Sequence, residues 1–401
     1  MSQSHSIRTS NQTQASPASD LDGRAALAAD VARSHAVAVD RDARFPAEAF
    51  AELRRQRLLG IMIPTALGGE GATLSQIADV CYTLGQACSS TGMIYAMHQV
   101  KLACIVRHTH GSPALDAILG RAAREQMLLA SSTTEGQGGG NIRASEAPMH
   151  RDGDRVSLVR AASCISYGRD ADGIVTTARR HPEAAPSDQV LLVFLRSQYT
   201  LEPVQGWDTL GMRGTCSDGF TLRAQGDSGN IVPEAYETIH TRSMVPVAHL
   251  TWGSVWAGVA AAATARAQAF MRHAARQGGA LPPGAPHLTQ AVASLRTLRG
   301  LLASSLRRYE AIRDDSEALG SQEFQSMITL TKVEVSELAT ATVMSAMRAT
   351  GLSGYRNEGE FSVGRYLRDV LSAPIMINND RILSNLASQS LIAPLPARIS
   401  G

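Results

Sequence analysis

Hydrophobic periodicity changes twice along the chain, and those changes set the order of its layers. Up to about Leu129, apolar residues recur every three or four positions, the spacing that gives a helix one buried stripe. From Ser131 to about His240 the apolar runs are short and separated by turn signals, which is strand texture. From Val245 the helical spacing returns. The chain therefore reads as α+β: an N-terminal helical domain over 21–130, a central β-sandwich or barrel-like domain over 131–240, and a C-terminal four-helix bundle over 241–401. Residues 1–20 are rich in Ser, Gln and Thr without periodicity and read as a disordered tail.

Within the first third the pattern predicts helices over Leu21–Val39, from Pro46 to about Leu59, over Leu74–Ala87, over Met93–Arg107 and over Leu115–Leu129. Strands are predicted at Val156–Val159, Gly173–Thr177 and Val190–Leu195, with a turn at Asp152-Gly153-Asp154. The last third predicts long helices from Trp252 to Ala275, around Val292–Ile312, from Phe324 to Ala349, and from Tyr366 to Ala387 with an interruption at Pro374.

Composition narrows the function classes. There are 38 basic and 36 acidic residues, a net charge of +2, so no strong field for nucleic acid or anionic lipid is built in. Only Lys101 and Lys332 among the basic residues are lysines; the rest are arginines, whose planar fork suits anion contacts. The longest apolar run, Trp252 to Ala265, is broken by Gly253, Ser254 and Thr264 and falls short of the ~18 residues of a membrane span. Five cysteines, an odd number, fit a reducing compartment. The N-terminus lacks the apolar segment of a secretory signal. A cytoplasmic protein without nucleic-acid or membrane partners is expected.

Several segments have the composition of a site. Ser131 to Asn141 sets hydroxyls beside consecutive glycines, giving exposed donors and close backbone approach to a ring or phosphate. It is neither a Walker loop nor a dinucleotide fingerprint, since no Gly-Lys-Ser/Thr follows and no βαβ unit surrounds it. Cys164 to Asp172 and Trp207 to Ser217 are loops that either join strands or wall a pocket. Pro64 to Gly71 is a glycine-rich helix connection. His98, Cys104, His108 and His110 lie close in sequence without metal-ligand spacing, so no metal is expected. No Gly-x-Ser-x-Gly elbow is present. Nothing near Cys164 or Cys216 favours a thiolate, so both read as structural.

The α–β–α order, Thr133-Thr134-Glu135-Gly136 with the glycines that follow, Leu210-Gly211-Met212-Arg213-Gly214-Thr215, and Arg365-Tyr366-Leu367-Arg368-Asp369 together resemble the acyl-CoA dehydrogenase family, from about Leu59 to the end. Pro64 to Gly71 is similar to that family's Pro-x-x-x-Gly-Gly-x-Gly loop. The resemblance implies FAD at the seam between sandwich and bundle, an acyl thioester substrate on coenzyme A or a carrier protein, an electron-transfer partner, and a homodimer or homotetramer. It places Thr133, Thr134, Gly139 and Ser166 near the flavin. Arg276 falls on the Arg of an Arg-x-x-Phe-Gly signature at the pyrophosphate, without its Phe. Gly351 belongs to a Gln-x-x-Gly-Gly-like stretch at 348–355, and Asn379 to the segment that follows Arg368-Asp369. Tyr95, His98 and Gly140 fall on the substrate side.

One departure bears on the chemistry. The family's catalytic Glu follows the Arg-Asp pair, and the count puts Ile377 at that position. The alternative location at Leu250-Thr251-Trp252-Gly253 holds no carboxylate either. Removal of an α-proton needs a base within reach, and Asp380, three residues out of register, is the nearest candidate. The sequence thus supports α,β-dehydrogenation of an acyl thioester with Asp380 as base. The alternative is a two-component monooxygenase on the same fold, taking reduced FMN or FAD as co-substrate from a partner flavin reductase. A binding protein without catalysis is a third reading.

Overall fold

A computed structural model describes residues 20–135, 142–278 and 280–392. Five helices form the first layer: α1 (Leu21–Arg41), α2 (Ala47–Arg55), α3 (Leu74–Ala87), α4 (Ser89–Val106) and α5 (Pro113–Glu125). Helix α1 buries a stripe of alanines (Ala25, Ala28, Ala29, Ala32, Ala36) and so lies close to its neighbours. Helix α3 opens on a reciprocal cap: Thr73 Oγ1 accepts from Gln76 N–H at 3.2 Å, and Gln76 Oε1 accepts from Thr73 N–H at 2.9 Å. Helix α4 is buried on almost every side, its polar residues His98, Gln99 and Lys101 included. Helix α5 begins at Pro113 behind the Ser112 cap and ends at Gln126 in the left-handed region, short of the predicted Leu129.

The middle layer is a pair of four-stranded sheets. One has the order β1 (Leu129–Ser132), β4 (Gly173–Arg179), β5 (Gln189–Leu195), β8 (Ile231–Val232); the other has β2 (His150–Asp152), β3 (Arg155–Ala162), β7 (Gly219–Asp227), β6 (Tyr199–Gln205). Strand β3 alternates exposed and buried positions because one face meets water, whereas β4 and β5 are buried nearly throughout. The predicted strands are β3, β4 and β5. Strand β1 was hidden by its position straight after α5, and it pairs parallel with β4 (Leu129 opposite Gly173). The β2–β3 hairpin turns at Gly153.

The last layer is entered by one continuous helical run. A short α6 (Tyr236–Ile239) passes through a π-turn (His240–Met244) into α7 (Val245–Gly278). Helix α8 (Ala285–Ile312), a short α9 (Ser316–Gly320) and α10 (Gln322–Thr350) follow. The fourth bundle position is split: after α11 (Leu352–Tyr355) come α12 (Gly364–Val370) and α13 (Asn379–Ile392), separated at 371–378, where Pro374 lies. The α3–α7 crossing is unusually close. A Cβ on Gly258 would meet Tyr82 O at 2.3 Å, and one on Gly85 would meet Val255 O at 2.5 Å. Layers one and three therefore share a core. No described helix is long and apolar enough to cross a membrane.

Candidate active site at the seam of sandwich and bundle

A cavity of about 760 Å³ lies where the sandwich, α4, the start of α7 and the 371–381 segment meet. The sandwich contributes Thr133 and Thr134 beyond β1, Cys164 and Ser166 beyond β3, and the loop from Trp207 to Ser217. Helix α4 contributes Met93, Met97, Val100 and Lys101, one stripe at helical spacing. The π-turn and α7 add Met244, Val245, Ala248 and Trp252.

The loop after β6 is fixed by the motif it faces. Met212, in the left-handed region, donates its N–H to Asp369 Oδ1 at 2.7 Å, and Arg368 donates to Leu210 O at 3.0 Å. A Cβ on Gly211 would meet Arg368 O at 2.1 Å, so only glycine permits this approach. Arg368 also pairs with Asp40 of α1. Leu210–Thr215 and Arg365–Asp369, far apart in sequence, are thus two halves of one joint that closes the cavity floor.

Hydroxyls line the sandwich wall in series. Ser166 Oγ lies 2.8 Å from Ser217 Oγ, which lies 2.8 Å from Thr215 Oγ1; Thr215 donates to Met212 O at 2.9 Å. Across the cavity, the buried Trp252 Nε1–H has no acceptor among the described residues. Burial raises the Cys164 thiol and pushes Cys216 up to about 11, which keeps both from acting as thiolates at neutral pH.

The structure separates the residues that the sequence reading grouped. Thr133, Thr134 and Ser166 line the cavity. Gly139 and Gly140 lie outside the described residues. Tyr95 and His98 do not face the cavity. Tyr95 donates to Leu58 O at 3.1 Å, His98 Nε2 meets Leu59 O at 2.9 Å, and His98 Nδ1 accepts from Leu129 N–H at 3.0 Å. Gln99, beside them, donates to the same two carbonyls. The chain turns at Arg57 with positive φ and leaves these buried carbonyls without a helical partner, so α4 supplies one. Burial lowers His98 to about 4, which keeps the ring neutral in this role.

Arg276 is exposed in the last turn of α7, and Gly351, with φ 55, is an exposed residue just past α10. Neither lines the cavity. Asn379 turns toward α10, where Lys332 donates to its Oδ1 at 2.7 Å and to Ile377 O at 2.7 Å, while Asn379 donates to Glu337. Asp380 is exposed; Ile377, Asn378 and Arg381 reach the cavity and Asp380 does not. Ile377, at the position counted for the family's Glu, adopts φ 52, a strained state for a β-branched residue that the Lys332 tie holds in place.

No carboxylate lines the cavity among the described residues, and the remaining segments contain no Asp or Glu. Three carboxylates on the segments around the cavity are already engaged. Glu135 pairs with Arg160 at 3.1 Å and accepts from Ser145 and Ala147; Asp369 holds Met212; Asp218 pairs with Arg169 at 3.1 Å. Sequence reasoning missed Lys101, which is 4 % exposed on the cavity wall. The available signal was its place on the Met93–Met97–Val100 stripe in a chain with two lysines. Away from the cavity, Glu234 bridges His108 and His110, with ligand atoms within 4.8 Å of one another; these contacts pin α4 to the turn before α6.

A three-layer α–β–α scaffold with a cavity at the seam of its layers is the class that this geometry defines. Residues 22–124 match the N-terminal domain of acyl-CoA dehydrogenase and residues 243–391 its C-terminal domain, and the chain belongs to the acyl-CoA dehydrogenase family. Its relatives span different reactions. It is 27% identical over 371 residues to an L-evernosamine nitrososynthase of Micromonospora sp., covering 87% of this chain and 85% of that one. It is 24% identical over 373 residues to the cyclohex-1-ene-1-carbonyl-CoA dehydrogenase of Syntrophus aciditrophicus, covering 90% and 86%. In fold it matches the FMN-bound dibenzothiophene monooxygenase TdsC from Paenibacillus sp. A11-2 with a TM-score of 0.82 at 17% identity, over 94% of this chain and 98% of that one.

Proposed function

We propose that this chain is a flavin-dependent monooxygenase of the acyl-CoA dehydrogenase family, using flavin reduced by a separate reductase and acting on an apolar small molecule. The observation that carries this reading is the cavity without a carboxylate. Dehydrogenation of a thioester requires a base at the α-carbon, and Ile377 stands where that base would be. Oxygen transfer from a reduced flavin makes no such demand.

The residues present suit a flavin ring. Such a ring offers carbonyl and ring-nitrogen acceptors along one edge and a flat apolar face. Thr133, Thr134 and Ser166 would hold the polar edge, and the orphaned Trp252 N–H supplies a further donor. Bound reduced flavin would supply activation of dioxygen and delivery of one oxygen atom. The chain's own part is to bind and to orient. Met93, Met97 and Met244 give the cavity an apolar lining that suits a neutral ring or chain.

A second reading keeps the family's dehydrogenase chemistry, with bound FAD, an acyl thioester and an electron-transfer partner. It is favoured by the cyclohexenecarbonyl-CoA relative and requires Asp380 to turn inward. In that reading Arg276 and Gly351 act on the cofactor of a neighbouring copy in a homodimer or homotetramer. The two are separated by anaerobic addition of coenzyme A and carrier-linked thioesters to flavin-loaded protein. The monooxygenase reading expects the yellow colour to persist; bleaching that depends on Asp380 supports the dehydrogenase.

A further inference from the structure

Lys101 is the one lysine on the cavity wall, and it has no counter-ion among the described residues. Its Nζ has a single hydrogen-bonding neighbour among the described residues, Met244 Sδ at 3.7 Å. Lys332, the other lysine, differs in every respect: it is tied to two oxygens and lies 5.7 Å from the Trp256 ring centroid. A long amine in a mostly apolar cavity, with neither carboxylate nor carbonyl in reach, is an expensive arrangement unless a ligand completes it.

We propose that Lys101 recognises the substrate, pairing its Nζ with one acidic oxygen, a carboxylate or phenolate, on an otherwise apolar molecule. The inference rests on the cavity being the substrate site, and not on which oxidation takes place there. The charged surroundings agree. Besides Lys101 the ionic groups on the wall are Arg368, which Asp40 already pairs, and Arg381, which has no carboxylate partner among the described residues. The titratable and charged groups that act on Lys101 are Cys104 on its own helix, Arg160 on β3 and His240 in the π-turn. Burial lowers the Lys101 amine from its ordinary value, and an anion beside it would favour the ammonium. Where the amine is neutral, an acid that enters protonated transfers its proton from oxygen to Nζ, and beside an acid that enters as the anion Nζ takes its proton from solvent. Either way the bound state is an ammonium–carboxylate pair sealed by Met97, Val100 and Met244.

Cyclohexylacetate and its neutral isostere cyclohexylacetamide test this on the full chain, because Trp207 and Trp252 in the wall report occupancy by fluorescence. The expected result is tighter binding of the acid than of the amide. Lys101→Met should weaken the acid by about 10- to 100-fold and change the amide by less than about threefold. Should that variant fail to fold, reductive methylation of the wild type decides: Lys101 should be modified in the free protein and protected by saturating acid. Equal binding of acid and amide, binding of neither, an acid preference that survives Lys101→Met, or methylation unaffected by the acid each overturns the proposal. Loss of FMN retention in Lys101→Met with acid binding intact would assign the amine to the flavin and overturn it too. Failure of the monooxygenase reading shows elsewhere, in how flavin-loaded protein reacts with oxygen and thioesters.

Discussion

Helix α4 carries two polar faces with opposite fates. Tyr95, His98 and Gln99 point toward the α2 exit, where the carbonyls of Leu58 and Leu59 and the N–H of Leu129 satisfy Tyr95, His98 and the Gln99 amide N–H, while Gln99 Oε1 has no partner among the described residues. One stripe around, Lys101 points into the cavity among methionines and is met by a thioether. The same helix thus holds the scaffold with one face and keeps the other for something not in the chain. Burial alone does not separate these roles, since all four residues are nearly inaccessible. Partnership does: Tyr95 and His98 complete their bonds within the chain, whereas the Lys101 amine meets only a thioether in the cavity wall.

Mutations on the two faces should therefore behave oppositely. His98→Ala leaves Leu129 N–H without its acceptor and weakens the tie to Leu59 O, and should lower stability by about 3 kcal/mol in urea unfolding. Stability unchanged within about 0.5 kcal/mol would mean that the satisfied face is not structural. Acid should attack the same face. His98 is lowered to about 4 and His249 to about 3, so between the unfolded value of about 6.5 and those values the unfolded chain binds more protons. Stability is therefore level above about pH 6.5 and falls as the pH drops toward 4, a trend that His98→Gln should flatten in a pH series of melting curves. Tyr95→Phe should cost about 1 kcal/mol, because Gln99 still reaches Leu58 O at 3.3 Å. Lys101→Met should leave stability unchanged or raise it, since no protein partner is lost; a loss of more than about 2 kcal/mol would place Lys101 with the structural face. The smallest effect is expected for Asp380→Asn. An exposed residue outside the cavity should change stability by less than about 0.5 kcal/mol and leave flavin binding intact.

Much of this architecture was legible in the residues. Helical and strand periods differ, so the α–β–α order could be read directly. The hydroxyls at Thr133, Thr134 and Ser166 sit in motifs whose spacing survives in this chain. What could not be read was direction. Tyr95 and Lys101 lie in one apolar run, and only the helical phase, together with the left-handed turn at Arg57 that strands two carbonyls, decides which faces inward. The position of Asp380 depended on the segment after α12, where Ile377 takes a backbone state that no propensity favours and Lys332 holds it there from α10. A long-range tie of this kind leaves no local trace.

The proposed function needs the cavity, which has no carboxylate among the described residues, to shelter reduced flavin. Rapid mixing of the reduced, flavin-loaded protein with oxygenated buffer tests it most directly, with the flavin spectrum as readout. The return of the oxidised spectrum should lag well behind that of the same flavin free in buffer. Reoxidation as fast as in free solution, or a protein that retains no flavin in either redox state, would contradict it.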